Sequence, residues 1–434
     1  MTSSVFENQS GARIQDREEL RRAVSEVVGG VAVFDMHTHL FAPEFGELGL
    51  SGIDELLTYH YLVAETFRSA RISYAEFWRL TKTEQADLVW RTLFVEQTPV
   101  SEAARGVVAV LAAFGLDTAA ADLHEARAFF REQDPAEHLE RVLKLAGVSD
   151  VVMTNDPFDA REARVWEGGA GIDWRFRAAL RMDGLLNDWE HAAAELAGQG
   201  YDVDAGFGGA TVAEVRRFLD VWIERMRPLY MAVSLPDDFR YPAEDVRDRM
   251  LREVVLPTAR EHQLPFALMV GVRRGVNPAL RMAGDGLGRA DVAAVERLCA
   301  AEPDVRFLAT FLSRENQHEL CVAARKFANL MPFGCWWFLN NPSIIAEVTL
   351  ERLELLGTSF IPQHSDARIL EQLIYKWRHS RRVIAEALVE VYERLFESGR
   401  VVTRAEIERD AARLFNGNFR EWVRRASEAG VGSN

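Results

Sequence analysis

Two hydrophobic rhythms alternate along the chain. Residues 17–28 (REELRRAVSEVV) place Leu20, Val24, Val27 and Val28 at helical spacing, which predicts an amphipathic helix stopped by Gly29-Gly30. The run VAVFDMHTHL, 31–40, is apolar and β-branched and predicts a buried strand. From about 45 to 146 the period is helical, over 53–70, 74–80, 82–94, 101–114 and 135–145. Strand-like runs return at 148–156, 176–182, 227–235, 264–272, 305–312, 328–338 and 358–366. Helical stretches such as 212–225, 245–260, 292–301 and 316–327 lie between them. Strands alternating with helices build a parallel sheet, and eight of them close a barrel. The predicted fold is therefore α/β, a (β/α)8 TIM barrel formed by one elaborated domain over 1–434. It carries a helical insertion at 45–146 after strand 1 and extra terminal helices. A doubly wound sheet would want a glycine-rich turn after its first strand, where this chain has Asp-Met-His-Thr-His.

Composition narrows the function classes. Hydrophobic residues make up 48% and charged residues 27% of the 434, which is the composition of a folded chain. Lys and Arg number 51 against 66 Asp and Glu, a net charge of −15 that argues against a nucleic-acid partner. The three cysteines, Cys299, Cys321 and Cys335, form no C-x-x-C pair and suit a reduced, cytoplasmic protein. The apolar stretch Gly106–Leu116 is far short of the roughly 20 residues that span a bilayer. The N-terminus, with Glu7 and Asp16, lacks the basic flank and apolar run of a signal peptide. No membrane partner is expected.

The first strand carries the first candidate chemistry. Residues two apart on a strand share a face, so Asp35, His37 and His39 are expected to face the barrel interior. Both histidines then sit near the C-terminal strand end, where barrel active sites lie. Two imidazoles on one edge suit a divalent metal; two satisfied polar residues at a strand end are the alternative. In Gln363-His364-Ser365-Asp366-Ala367-Arg368 the same alternation lines up His364, Asp366 and Arg368. Asp366 can serve as metal ligand and proton acceptor, or as the cap of a following helix. His364 either joins the ligands or points above the site. His124, His138, His191 and His318 are expected on solvated helix surfaces.

A His-x-His at the end of strand one with an Asp at the end of strand eight resembles the amidohydrolase superfamily, and within it the uronate isomerase family. The residues that carry the resemblance are Phe34-Asp35-Met36-His37-Thr38-His39-Leu40, His60-Tyr61 in the insertion, and Thr154-Asn155-Asp156-Pro157. Further matches are Arg181, Trp336-Trp337-Phe338 with Asn340-Asn341, and Asp366-Ala367-Arg368. The resemblance implies metal ligation by His37, His39 and Asp366, with zinc the first choice and manganese the second. It implies catalytic or substrate contacts from His60, Tyr61 and Arg368, a carboxylate anchor at Arg181, and a pocket wall at Trp337. Asp366 and Tyr61 are the candidate proton carriers. Read without the family, Arg181 could equally pair with Asp183, and His60-Tyr61 could be helix packing.

The chain departs from the family pattern in three places. Leu268 stands about where a middle-strand His is expected, Leu62-Val63-Ala64 follow His60-Tyr61, and Ser234-Leu235-Pro236-Asp237-Asp238 replaces an Asp-His pair. The implied activity is metal-assisted aldose–ketose isomerisation of a hexuronate through an enediol, by a homo-oligomer acting on a small sugar acid. A hydrolase or non-oxidative decarboxylase of a small carboxylated compound, on the same scaffold, is the alternative.

Overall fold

Seven parallel strands curl around one interior in the computed structural model, which describes residues 13–14, 16–169 and 171–424. They are β1 (Val33–Thr38), β2 (Val148–Asn155), β3 (Phe176–Arg181), β4 (Met231–Pro236), β5 (Phe266–Arg273), β7 (Phe307–Phe311) and β8 (Leu330–Pro332), hydrogen-bonded in that order. The two-residue β6 (Gly286–Leu287) pairs antiparallel with β5. Each run expected to form one of these strands does so, and the helices between them alternate as the periodicity requires. The result is the TIM-barrel α/β fold. The polar start of the chain, with Glu7, lies outside the described residues. No helix among those described is long and apolar enough to cross a membrane.

The eighth run, 358–366, forms no ladder. It lies between β8 and β1 with one bridge, Phe333 to Ile361. Ile361 N donates to Pro332 O (3.1 Å) and Gly334 N to Ile361 O (2.8 Å) on one side. On the other, Asp366 N donates to His37 O (3.2 Å) and His39 N to Ala367 O (2.7 Å). Pro362 has no N–H to give, and side chains take its neighbours' donors. Gln363 Oε1 accepts from Cys335 N and His364 N, and Asp35 Oδ1 accepts from Ser365 N at 3.0 Å. The barrel closes all the same, because a buried backbone needs every donor satisfied but not by a ladder.

Alternation sorts the strand residues into two faces. Ala179, Ala232, Ala267, Met269, Leu308 and Met331 are buried inside the barrel, while Phe266, Leu268 and Val270 pack outward on the helices. Leu268 therefore cannot stand in for an inward-facing histidine. Ala267, Met269 and Val272 of β5 face the interior, and none has a side chain able to ligate a metal through N or O. The helix Asn418–Val423 plugs the lower end, with Phe419 edge-on to Phe34 at 4.9 Å.

β1 breaks the simple alternation. Its register with β2 shifts between Asp35 and Thr38, a bulge that lets Met36 and His37 both serve the interior. Contrary to expectation, Asp35 turns to the helix layer, where its Oδ2 accepts from Trp377 Nε1 at 2.8 Å. Burial pushes its carboxyl up to about 6. His138 also departs from expectation: it is buried and 2.7 Å from the buried Glu371, not on a solvated surface.

All the elements between β1 and β2 are helical, from Pro43–Leu48 to Pro135–Ala146. The run at 53–70 divides into Ile53–Leu57 and His60–Thr66, because Thr58 Oγ1 bonds back to Asp54 O and Tyr59 takes an extended backbone. That break places His60 and Tyr61 at a helix start.

Trp377→Phe keeps the apolar bulk but leaves Asp35 Oδ2 buried without its indole donor. The expected loss is about 1–3 kcal/mol of unfolding free energy, read as a lower urea midpoint at unchanged m-value.

Candidate active site

Three side chains meet at the C-terminal end of the barrel. His37 comes from β1, His39 lies just past it, and Asp366 sits on the closing segment. His37 Nε2 lies 3.9 Å and His39 Nε2 3.5 Å from the same oxygen, Asp366 Oδ1. The three ligand atoms all lie within 4.8 Å of one another. Asp366 reaches this place with a left-handed backbone, φ 54°, which Asp tolerates better than most residues. It caps no helix, since the next one starts only at Gln372.

Hydrogen bonds behind the histidines aim them. Tyr230 Oη donates to Met36 O (2.7 Å) and lies 3.1 Å from His37 Nδ1. Its one proton is committed, so it accepts from His37 Nδ1–H. Thr154 Oγ1 likewise donates to Thr38 O (2.9 Å) and faces His39 Nδ1 at 3.0 Å. Both rings are thereby left with an Nε2 lone pair directed at Asp366, as metal-ligating histidines require.

The donor set fits a divalent cation. Two ligands of one tetrahedral zinc lie about 3.4 Å apart at bond lengths of about 2.1 Å, close to the two separations found. Asp366 Oδ1 is buried yet accepts no hydrogen bond, which leaves it available for a cation. Burial pushes the Asp366 carboxyl up, but His39, His364 and His37 outweigh burial and hold it well below the usual range. Burial, aided by the nearby His364, lowers His37 well below an ordinary histidine. The site thus combines an ionised carboxylate with an imidazole that resists protonation.

The insertion supplies the next layer. His60 Nε2 accepts from Trp337 Nε1 at 3.2 Å, and its ring packs at a tilt against Tyr59 (4.1 Å) and Tyr61 (4.3 Å). Burial lowers His60 to about 4, against the pull of Asp366. Burial also raises Tyr61 well above an ordinary phenol, so its hydroxyl keeps its proton. Arg368 is exposed at the rim, its charge bearing on His60.

Arg181 ends β3 on the inward row. Its Nε lies 3.2 Å from Asp183 Oδ2, so the ion pair weighed as the alternative is present. Asp183 first, then Asp156 and Glu162, keep the guanidinium charged. Burial raises Glu162 itself to about 7. At the end of β4, Asp237 pairs with Arg273 at 3.5 Å.

Several contributors escaped the sequence reading. Tyr230 carries no motif, although its place on the inward row of the fourth strand run was a usable signal. Thr154 stood within a recognised motif but had no assigned task. Lys376 is almost fully buried, 3.6 Å from Glu102 Oε1 and 5.4 Å from the Tyr61 ring centre. A lysine on the inner face of an otherwise amphipathic helix was the only hint of it.

No protein-family model matches the chain, and no curated protein matches it. Among solved structures, a uronate isomerase from Bacillus halodurans C-125 is 54% identical, covering 94% of this chain and 97% of its own, with a TM-score of 0.93. A uronate isomerase from Thermotoga maritima is 13% identical, with a TM-score of 0.76 over 98% of this chain and 100% of its own. A glucuronate isomerase from Caulobacter crescentus is 15% identical, with a TM-score of 0.74 over 98% of this chain and 99% of its own. Those two speak for the fold alone. The first is similar in sequence along almost the entire length, and on that ground the chain belongs to the uronate isomerase family.

Proposed function

We propose that the protein is an aldose–ketose isomerase that interconverts an aldehydic hexuronate and its 2-keto isomer, glucuronate with fructuronate or galacturonate with tagaturonate. The observation that carries this reading is the convergence of His37 and His39 on the unpartnered Asp366 Oδ1, whose charge bears on His60 and Tyr61. Membership of an isomerase family weighs against the hydrolase or decarboxylase alternative.

His37, His39 and Asp366 would hold a divalent ion, zinc first and manganese second, because mixed N/O donors suit both. Such an ion, when bound, polarises a sugar oxygen and stabilises the negative charge of an enediolate. The remaining tasks fall to side chains. Isomerisation takes a proton from C2 and returns one to C1, a short transfer that one base can perform. Asp366 is the ionised acceptor, and Tyr61 is the protonated donor that keeps its hydrogen at neutral pH. His60, whose Nε2 accepts from Trp337, carries its own proton on Nδ1 and can donate to a sugar hydroxyl.

Arg181 uses its Nε for Asp183 and keeps its terminal nitrogens for the carboxylate of the sugar acid; a planar guanidinium suits that partner. Arg368 at the rim is the second cation, and Trp337 forms the wall. The working form in this reading is a cytoplasmic homo-oligomer, each chain one domain over 1–434 with 45–146 as its cover. Three free, buried cysteines suit that reducing compartment.

Incubating the metal-loaded protein with glucuronate and with galacturonate in deuterated water, followed by NMR, tests the reaction. Ketose and deuterium at C1 or C2 are expected from at least one sugar; neither from either sugar rejects the isomerase. Asp366→Asn preserves shape but removes charge and base, so turnover should fall about 10²–10⁴-fold and zinc content by elemental analysis should drop with it. For Arg181→Met the expected change is a rise in KM of about 10–100-fold, equivalent to losing one charge-assisted hydrogen bond, with kcat nearly unchanged. Because His60 stays neutral down to about 4, kcat/KM at saturating metal should hold from neutral pH to about 5 and fall below that. A limb at the ordinary histidine value would contradict the buried, neutral His60.

A further inference from the structure

One fully buried group near the site has no assigned task. His364 is 0% exposed, and neither of its ring nitrogens has a hydrogen-bond partner among the described residues. Such a group costs about 1–3 kcal/mol if left unpaired, and in a native protein it calls for a partner. Its ring stands edge-on to His37 at 5.3 Å and against Phe333 at 5.4 Å.

The surroundings decide which nitrogen is free. Gly334, at φ +62°, makes room for the imidazole: a Cβ there would fall 1.8 Å from Nδ1 and 2.3 Å from Cε1. The Nδ1 edge thus presses on backbone, and Nε2 is left to act. His364 lies outside the set of ligand atoms that gather within 4.8 Å. Direct ligation is therefore not its role where it stands, because two ligands of one ion are at most about 4.4 Å apart. Sites with three protein ligands keep a fourth position for water or substrate, and an oxygen there needs a hydrogen-bond partner from the protein.

We propose that His364 is the fourth protein group of this centre, its Nε2 hydrogen-bonding the water or sugar oxygen that fills the position left open by His37, His39 and Asp366. This rests on the metal reading above. It gives the closing segment a second function, since the same stretch that supplies Asp366 also orients whatever binds opposite it.

Zinc affinity is measured by competition with a chromophoric chelator on the full chain, alongside the visible spectrum of the cobalt-substituted protein. His364→Leu should still bind one ion, about 10–100-fold more weakly, as loss of a supporting group near a metal does. Its cobalt bands should shift. Its metal-free form should unfold no earlier than the wild type, because the orphaned polar ring is gone. His39→Ala should lose stoichiometric binding. Wild-type affinity and an unchanged cobalt spectrum in His364→Leu overturn the proposal and leave the metal site standing. If the wild-type chain binds no more zinc than His39→Ala, the metal reading itself falls and the proposal with it. Should His364→Leu fail to fold, nitrogen-15 histidine spectra of the unaltered chain decide the matter. Zinc should then move the ring signals of His37, His39 and His364, and a response confined to the first two overturns the proposal.

Discussion

Closure of the barrel by a few main-chain bonds supplemented by side chains, rather than by a continuous ladder, is the constraint from which the site follows. A regular eighth strand would bind the backbone of 363–366 on both edges and hold Asp366 in an extended conformation. Here Pro362 interrupts the pairing, and Gln363 and Asp35 take the donors that a ladder would have used. The chain is then free to turn at Asp366 into the left-handed region. Its N–H still reaches His37 O, so the carboxylate is fixed against the strand that carries both imidazoles. One set of bonds closes the fold and brings the carboxylate to the two imidazoles.

The same geometry sets the charges. A carboxylate buried this deeply is expected to take up a proton. Positive charge on the imidazoles around it reverses that tendency, and a bound cation would do the same. Tyr230 and Thr154 add the orientation: each spends its single proton on a main-chain carbonyl of β1, so each can only accept from the histidine behind which it sits. These bonds fix tautomer and direction together, and they do so from strands that are buried and rigid rather than from loops.

Much of this was legible beforehand because it depends on period and spacing. Alternation gave the barrel, and the pairing of His37-x-His39 with Asp366 gave the cluster that could hold a metal ion. What alternation could not give was any place where the period breaks. The bulge in β1 turned Asp35 outward to Trp377, one residue of phase reassigned Leu268 to the helix layer, and the last run never formed a strand. His138 was misjudged for a related reason: its buried partner Glu371 lies 233 positions away, beyond the reach of local pattern. The pairing of Lys376 with Glu102 is hidden on the same account.

His60, at the start of its helix, is held by a strained residue. Trp337 adopts φ 47°, a conformation bulky side chains rarely take and one that costs of order 1–3 kcal/mol. Its indole stacks flat on Phe338 at 4.7 Å and gives its N–H to His60. Relaxing the backbone would swing the indole away and leave His60 Nε2, in a largely buried place, without its donor. The unfavourable backbone is therefore balanced by a hydrogen bond that fixes which nitrogen of His60 carries the proton. Trp337 and Asp366 thus both hold left-handed backbone, the first tied to His60 and the second set against His37 and His39. Residues forced into rare conformations by well-bonded surroundings are the expected mark of a site whose geometry matters more than its own local stability.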